Sequence, residues 1–132
     1  RGVIVPLLAD RDISGSGIEV DFGTQRALVA AGPAALATKL ERPLFAACIT
    51  YENESPTGAD VRVRCVGPIN ADGRERPDLN RVEALTQAWV DHFAAMMATK
   101  AQDWHMMQRV YVEDLDPERL ARARAEHERK NR

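Results

Sequence analysis

At 132 residues the chain has the size of one domain, and its 45% apolar residues are enough to fill a single core. Charged residues make up 29% and the formal net charge is -2, which argues against a disordered chain and leaves no global positive field to drive nucleic-acid binding. No apolar run approaches the ~18 residues of a membrane span. The two cysteines, Cys48 and Cys65, lie in apolar strand-like runs without CxxC spacing or a histidine cluster, and are expected as buried thiols in a reducing compartment rather than as metal ligands or a disulfide.

The chain opens on Arg1-Gly2, with no initiator methionine and no signal peptide, and passes directly into Val3 to Ala9 (VIVPLLA). That apolar run reads as a strand buried on both faces, although Pro6 removes one ladder donor. Such a strand wants neighbours on both sides, so a fragment or processed product is expected. Asp10 to Gly17 is a loop, with the charged triplet Asp10-Arg11-Asp12 followed by Ser14-Gly15-Ser16-Gly17. Ile18, Val20 and Phe22 then alternate with Glu19 and Asp21, which predicts a half-buried strand whose carboxylates face away from the core. Gly23 ends it, and Gln25 to Val29 is expected to return as an irregular strand.

Gly32-Pro33 followed by AALATKL marks a helix start, because proline is preorganised at the first helical position. Leu44 to Tyr51 reads as a buried strand, Asn53 to Gly58 as a turn, and Val61 to Val66 as a strand carrying Arg62 and Arg64 on one face, expected toward solvent. A polar loop spans Asp72 to Pro77. Asp78 or Asn80 can cap a long helix from about Arg81 to Ala98, with Val82, Leu85, Ala88, Trp89, Phe93 and Met96 on one face. A second helical stretch is expected around Trp104, Met107 and Val110-Tyr111. After Leu115-Asp116-Pro117, residues Glu118 to Arg132 read as a charged, exposed and frayed terminal helix.

Few residues carry chemistry by spacing alone. Glu19 follows a glycine-rich turn, where a carboxylate can orient an imidazole or act as general acid or base, or simply be a solvated strand residue. Asp10, Arg11 and Asp12 sit at a strand's carboxyl end, where open α/β sheets bind ligands, or form a local ion pair. Asp103-Trp104-His105 and Arg109 group an aromatic, an imidazole and a guanidinium that could contact a sugar or head group; the alternative is a capping Asp, a packed Trp and a surface His. His92 falls within the long helix and His127 in the tail. There is no GxSxG elbow and no phosphate-binding glycine loop.

Four stretches together resemble a known family: Leu8-Ala9-Asp10-Arg11-Asp12, Gly17 to Gly23 (GIEVDFG), Gly32-Pro33-Ala34 and Asp103-Trp104-His105. From Gly2 to Pro117 the chain is similar to the C-terminal half of the lipid A biosynthesis lauroyl/myristoyl acyltransferases, nearest their phosphatidylinositol mannoside branch. The resemblance implies an α/β fold, an incomplete α/β/α sandwich of the glycerolipid acyltransferase type with a central mixed sheet and flanking helices. Residues 1–117 would be the C-terminal part of the acyltransferase domain and 118–132 the exposed terminal helix.

The implied reaction moves a long fatty-acyl chain from an acyl thioester to a mannose hydroxyl of a phosphatidylinositol mannoside. A histidine in an HxxxxD/E motif would deprotonate the hydroxyl, with an acidic residue supporting it. Glu19 matches the supporting position, and Asp10, Arg11, Trp104 and His105 are the expected substrate-binding residues. No HxxxxD/E is present: His92 has Met97 at +5, His105 has Val110, and His127 has Arg132. The base is therefore expected upstream of Arg1, in a missing N-terminal half, and the chain alone is expected to be inactive. Where the family carries two aromatics before the glycine, this sequence has Phe22-Gly23. The expected partners are acyl-CoA as co-substrate, the glycolipid and the cytoplasmic face of the cell membrane, bound peripherally. No cofactor, metal or nucleic acid is expected. The alternative is a non-catalytic lipid- or partner-binding module on a degenerate acyltransferase fold.

Overall fold

The computed structural model describes residues 2–55, 58–71 and 80–130. Among them are four strands and three α-helices. Strands β1 (Ile18–Phe22) and β2 (Gln25–Val29) form an antiparallel hairpin with register from Phe22↔Gln25 to Ile18↔Val29. Gly23 makes the tight connection at φ 63°, a conformation that only glycine adopts without steric cost. Helix α1 (Gly32–Leu40) follows with Pro33 in its first turn. Strands β3 (Ala46–Ser55) and β4 (Gly58–Val66) form a second antiparallel hairpin.

Helix α2 (Arg81–Met97) is the centre of the molecule. Asn80 caps it: its side chain accepts from the Glu83 N–H at 3.0 Å, and the Glu83 carboxylate accepts from the Asn80 N–H at 2.9 Å. Two of the helix's orphan donors are satisfied in this reciprocal way. Leu85, Trp89, Val90, Phe93 and Met96 are buried and pack with Ile18, Val20, Val29, Ala46 and Cys48, so one helix joins both hairpins to α1. Gln87, also buried, fixes the hairpin's position on the helix. Its Nε2 donates to the Asp21 carbonyl at 2.8 Å and its Oε1 accepts the Asp21 N–H at 2.9 Å, as a neighbouring strand would.

Helix α3 (Pro117–Lys130) covers the other face of β1–β2. Asp116 caps it by accepting from the Glu118 and Arg119 N–H groups at 3.0 and 3.1 Å. Leu28, Leu115, Leu120 and Ala123 form a second apolar cluster beneath it. The β1–β2 hairpin thus lies between α2 and α3, a local helix–sheet–helix layering. Most charged positions of α3 are exposed, while Ala123 is 1% exposed.

The structure differs from the sequence reading in four places. Among the described residues there is no central mixed sheet; each pair of consecutive strands folds back on itself through a short turn and pairs antiparallel. Val3 to Ala9 is not a strand. Ala9 is tied by the Ala30 N–H donating to its carbonyl at 3.1 Å, but Val3, Ile4 and Leu8 are each more than 80% exposed, with no strand among the described residues alongside them. Residues 104–111 are not helical. After a 3₁₀ turn at Ala101–Asp103 the chain runs extended, the Val110 carbonyl accepts the Leu28 N–H at 2.8 Å, and Tyr111 bridges Ala27. The edge of β2 captures this stretch as a strand-like neighbour.

The fourth difference is in β3–β4. Cys48 is buried but Cys65 is exposed. Arg64 pairs across from Cys48 and Arg62 from Thr50, so both arginines share the face that turns toward α2, where Glu52 binds them at 3.4 and 2.7 Å. Ile49, Tyr51, Val61 and Val63 share the outward face with Cys65. The period of two was read correctly and the arginines stay open to solvent, as expected; the difference is that the apolar residues of the alternate face, Val61 and Val63, are exposed as well. The predicted loop at residues 72–77, the Asp78 cap and the tip of the turn at residues 56–57 lie outside the described residues.

Candidate active site

The Asp10–Gly17 loop is held by its own polar groups. Asp12 is 2% exposed, and its Oδ1 accepts from the Ser14 N–H at 3.0 Å and from Ser14 Oγ at 2.7 Å. Ser14 Oγ in turn lies 2.8 Å from Ser16 Oγ. Gly17 lies so close to this turn that a Cβ there would come within 2.6 Å of the Val29 carbonyl oxygen and 2.7 Å of Asp12 Cβ. The glycine lets the loop enter β1 flat against Asp12. Arg119 of α3 donates from Nη2 to the Asp12 carbonyl, which ties the loop to the terminal helix. Asp12 Oδ2 is buried without a hydrogen-bond partner among the described residues.

Glu19 leaves this loop on the face of β1 opposite Val20 and Phe22, beneath α3. Its side chain is only 15% exposed. Arg124 Nε lies 2.6 Å from Oε1 and Nη2 lies 3.4 Å from Oε2; Arg26 Nη1 on β2 lies 3.4 Å from Oε2. The hydrogen bond from Arg124 is the main influence that holds the Glu19 carboxyl below its ordinary range. Partial burial opposes it, and the charges of Arg124, Arg26 and His127 reinforce it. Burial is the main influence that pushes the Cys48 thiol up; the Arg64 charge opposes it and Cys65 adds to it, consistent with a packing role.

Asp10 and Trp104 are brought together although 94 residues separate them: Trp104 Nε1 donates to Asp10 Oδ2 at 2.9 Å. The indole stacks on Phe22 with ring centroids 5.2 Å apart at 10°, and meets Phe93 edge-on at 5.9 Å. Such aromatic pairs contribute about 0.5–1.5 kcal/mol beyond their area burial. Trp104 is thus part of the packing that binds β1 to α2, with its polar edge turned to the loop. Arg11 is half-buried between Asp10 and Asp12.

His105 goes elsewhere. It is exposed and stacks on Tyr51 of β3 at 6.0 Å, while Asp103 accepts the Tyr51 N–H at 2.9 Å and Lys100 donates to the Tyr51 carbonyl at 2.9 Å. The three neighbours Asp103, Trp104 and His105 therefore serve two places. Asp10 and Trp104 flank the loop, on the Phe22 side of β1; Glu19 is on the α3 side; His105 belongs to the β3 edge.

A groove of about 360 Å³ opens beside the loop, lined by Ile13, Gln108, Arg109, Leu115, Asp116 and Arg119. The sequence singled out Asp12 only as part of the Asp10-Arg11-Asp12 triplet and gave Arg124 no partner. Asp12 had a readable signal in its position two residues before Ser14, the pattern of an Asx turn. Arg124 had none, since nothing local announces a partner 105 residues away. No group of three or more His, Cys, Asp or Glu that could hold a metal occurs among the described residues, and no described helix is long and apolar enough to cross a membrane.

The loop thus holds a buried aspartate, β1 carries a carboxylate held ionised, and helices lie on both faces of the hairpin, an arrangement compatible with an α/β fold. The family model for bacterial lipid A biosynthesis acyltransferases matches residues 1–112, and the chain belongs to that family. Among individual proteins, it is 38% identical over 120 residues to phosphatidylinositol mannoside acyltransferase of Mycolicibacterium smegmatis (strain ATCC 700084 / mc(2)155), a match covering 88% of this chain and 34% of that protein. It is 30% identical over 122 residues to the Mycobacterium tuberculosis protein of the same name, from strains CDC 1551 / Oshkosh and H37Rv, covering 92% of this chain and 35% of theirs. The chain spans about a third of the length of these relatives.

Proposed function

We propose that this chain forms part of an acyltransferase that moves a long fatty-acyl group from an acyl thioester, acyl-CoA, to a mannose hydroxyl of a phosphatidylinositol mannoside. The observation that carries the proposal is the match to phosphatidylinositol mannoside acyltransferases over nearly the whole chain. A sugar hydroxyl is a poor nucleophile until a positioned base takes its proton. In this reading a histidine from outside these 132 residues is that base, and Glu19 accepts its other ring N–H, fixing the tautomer and stabilising the imidazolium. The geometry supports the role in that Glu19 is ionised, oriented and largely screened from solvent.

Asp10, Arg11 and Trp104 flank the loop where a head group would lie, and Arg11 is suited to a phosphate. His105, on the Tyr51 edge, would reach only a more distant part of the glycolipid. The two hairpins and their helices would be the C-terminal part of an α/β/α sandwich of the glycerolipid acyltransferase type. The protein would act peripherally at the cytoplasmic face of the cell membrane, where both substrates meet, without a bound cofactor.

The test is acyl transfer from radiolabelled palmitoyl-CoA to purified phosphatidylinositol mannoside, by the 132-residue chain and by the polypeptide extended to its relatives' length. Transfer by the long form alone is expected. No transfer by the long form would overturn the enzymatic reading in favour of a non-catalytic lipid-binding module. Transfer by the short chain would mean that the base lies within these residues.

A further inference from the structure

We infer that Arg124 is a positioning residue for the Glu19 carboxylate, supplied by a helix that lies beyond the residues the family model matches. The inference rests on the proposed role of Glu19 and adds the group that sets its orientation and ionisation. Arg124 meets the carboxylate with two nitrogens, one on each oxygen, at 2.6 and 3.4 Å. A guanidinium presented in this way fixes the plane of a carboxylate, which a single-point lysine contact does not. Each carboxylate oxygen accepts more than one hydrogen bond, so room remains for an imidazole N–H.

Arg124 is itself 55% exposed, and the anchoring of helix α3 is what holds it over Glu19. The adjacent Ala123 is buried against Leu28 and Leu115. Arg119 reaches the Asp12 carbonyl, and His127 Nε2 lies 2.5 Å from Glu83 Oε1 at the start of α2. One face of α3 therefore contacts the loop, β1 and α2 in turn. Among the described residues, the charged and titratable groups around Glu19 include Arg26 from β2, Arg124 and His127 from α3, Asp21 further along β1, which Arg26 also reaches at 3.9 Å, and Glu83 of α2, which pairs with His127. Arg124 and Arg26 keep Glu19 ionised, and their charge offsets part of the stabilisation that Glu19 gives an imidazolium, so removing Arg124 raises the pKa of a base held there.

Steady-state acyl transfer by the polypeptide at its relatives' length tests this, with kcat, KM and the pH dependence of kcat/KM measured for Arg124→Gln, Arg124→Lys and Arg122→Gln. Arg124→Gln is expected to lower kcat about tenfold with little change in KM, and to move the acidic limb of kcat/KM upward by about half a pH unit. Arg124→Lys keeps the charge, so its acidic limb stays in place while kcat recovers in part. Arg122→Gln, on the exposed side of the same helix, behaves as the parent. Melting curves accompany each variant; should Arg124→Gln fail to fold, the Lys variant's reduced kcat with an unmoved limb carries the test. If Arg124→Gln keeps the parent kcat and acidic limb while Glu19→Gln loses activity, Arg124 only tethers α3 and the inference is overturned. If Glu19→Gln itself is as active as the parent, the failure lies in the role assigned to Glu19.

Discussion

Glu19 has two descriptions that agree in direction but differ in reach. Alternation along β1 places it opposite Val20 and Phe22, and that much is legible in five residues of sequence. Its partners are not, because one comes from β2 and the other from a helix near the far end of the chain. The same limit separates Trp104 from His105: they are adjacent in sequence, yet one packs on Phe22 and Asp10 and the other on Tyr51. The ionisation of Glu19 has a consequence for stability. Its folded-state pKa is lowered relative to the ordinary 4.5, so the folded protein binds the proton more weakly than the unfolded chain. Its contribution is therefore complete above about pH 5 and is lost as pH falls from there through the lowered value. Urea unfolding of the parent and Glu19→Gln should show the parent more stable at pH 7 and the gap closing as pH falls below about 4.5. A gap that stays constant down to pH 3 would mean that the carboxylate's charge is not what Arg124 and Arg26 engage.

At the scale of the element, legibility follows the strength of the local signal. Strand β1 and the starts of α1 and α2 were read with the right type and nearly the right ends, because alternation, Gly-Pro and a capping Asn just before an apolar-periodic stretch are each local physics. The stretch at residues 104–111 was misread for a tertiary reason. Its apolar residues allow a helix, but the open edge of β2 offers the Val110 carbonyl a backbone donor and Asp10 anchors the Trp104 indole. The exposed run at Val3 to Leu8 is the converse case: its composition favours a strand, and no strand among the described residues pairs with it. The cap on α2 can be tested directly. Asn80→Ala removes the acceptor for the Glu83 N–H and should cost about 1 kcal/mol, read as a lower midpoint in urea with an unchanged m-value. An unchanged midpoint would show that the first turn of α2 does not contribute to the cooperative unit.

For the whole molecule, the division of labour runs through α2. It holds one hairpin by burying Ile18 and Val20 and the other by burying Ala46 and Cys48, and Gln87 fixes the register of β1 against it. Helix α3 then closes the opposite face over Glu19. That the chain is α/β and which family it belongs to were legible in the sequence, since the motifs that carry them lie in short contiguous stretches. The layering was not, since it depends on which of two alternating faces is buried, and in β3–β4 the apolar face points outward.

The central claim is that Glu19 supports the base of an acyl transfer, and single-turnover acyl transfer by the relative-length polypeptide tests it most directly. Glu19→Gln, which preserves size but not charge, should slow the chemical step by about 10²-fold or more while leaving donor binding intact. A rate equal to the parent's would contradict the account and leave Glu19 as the structural anchor of α3.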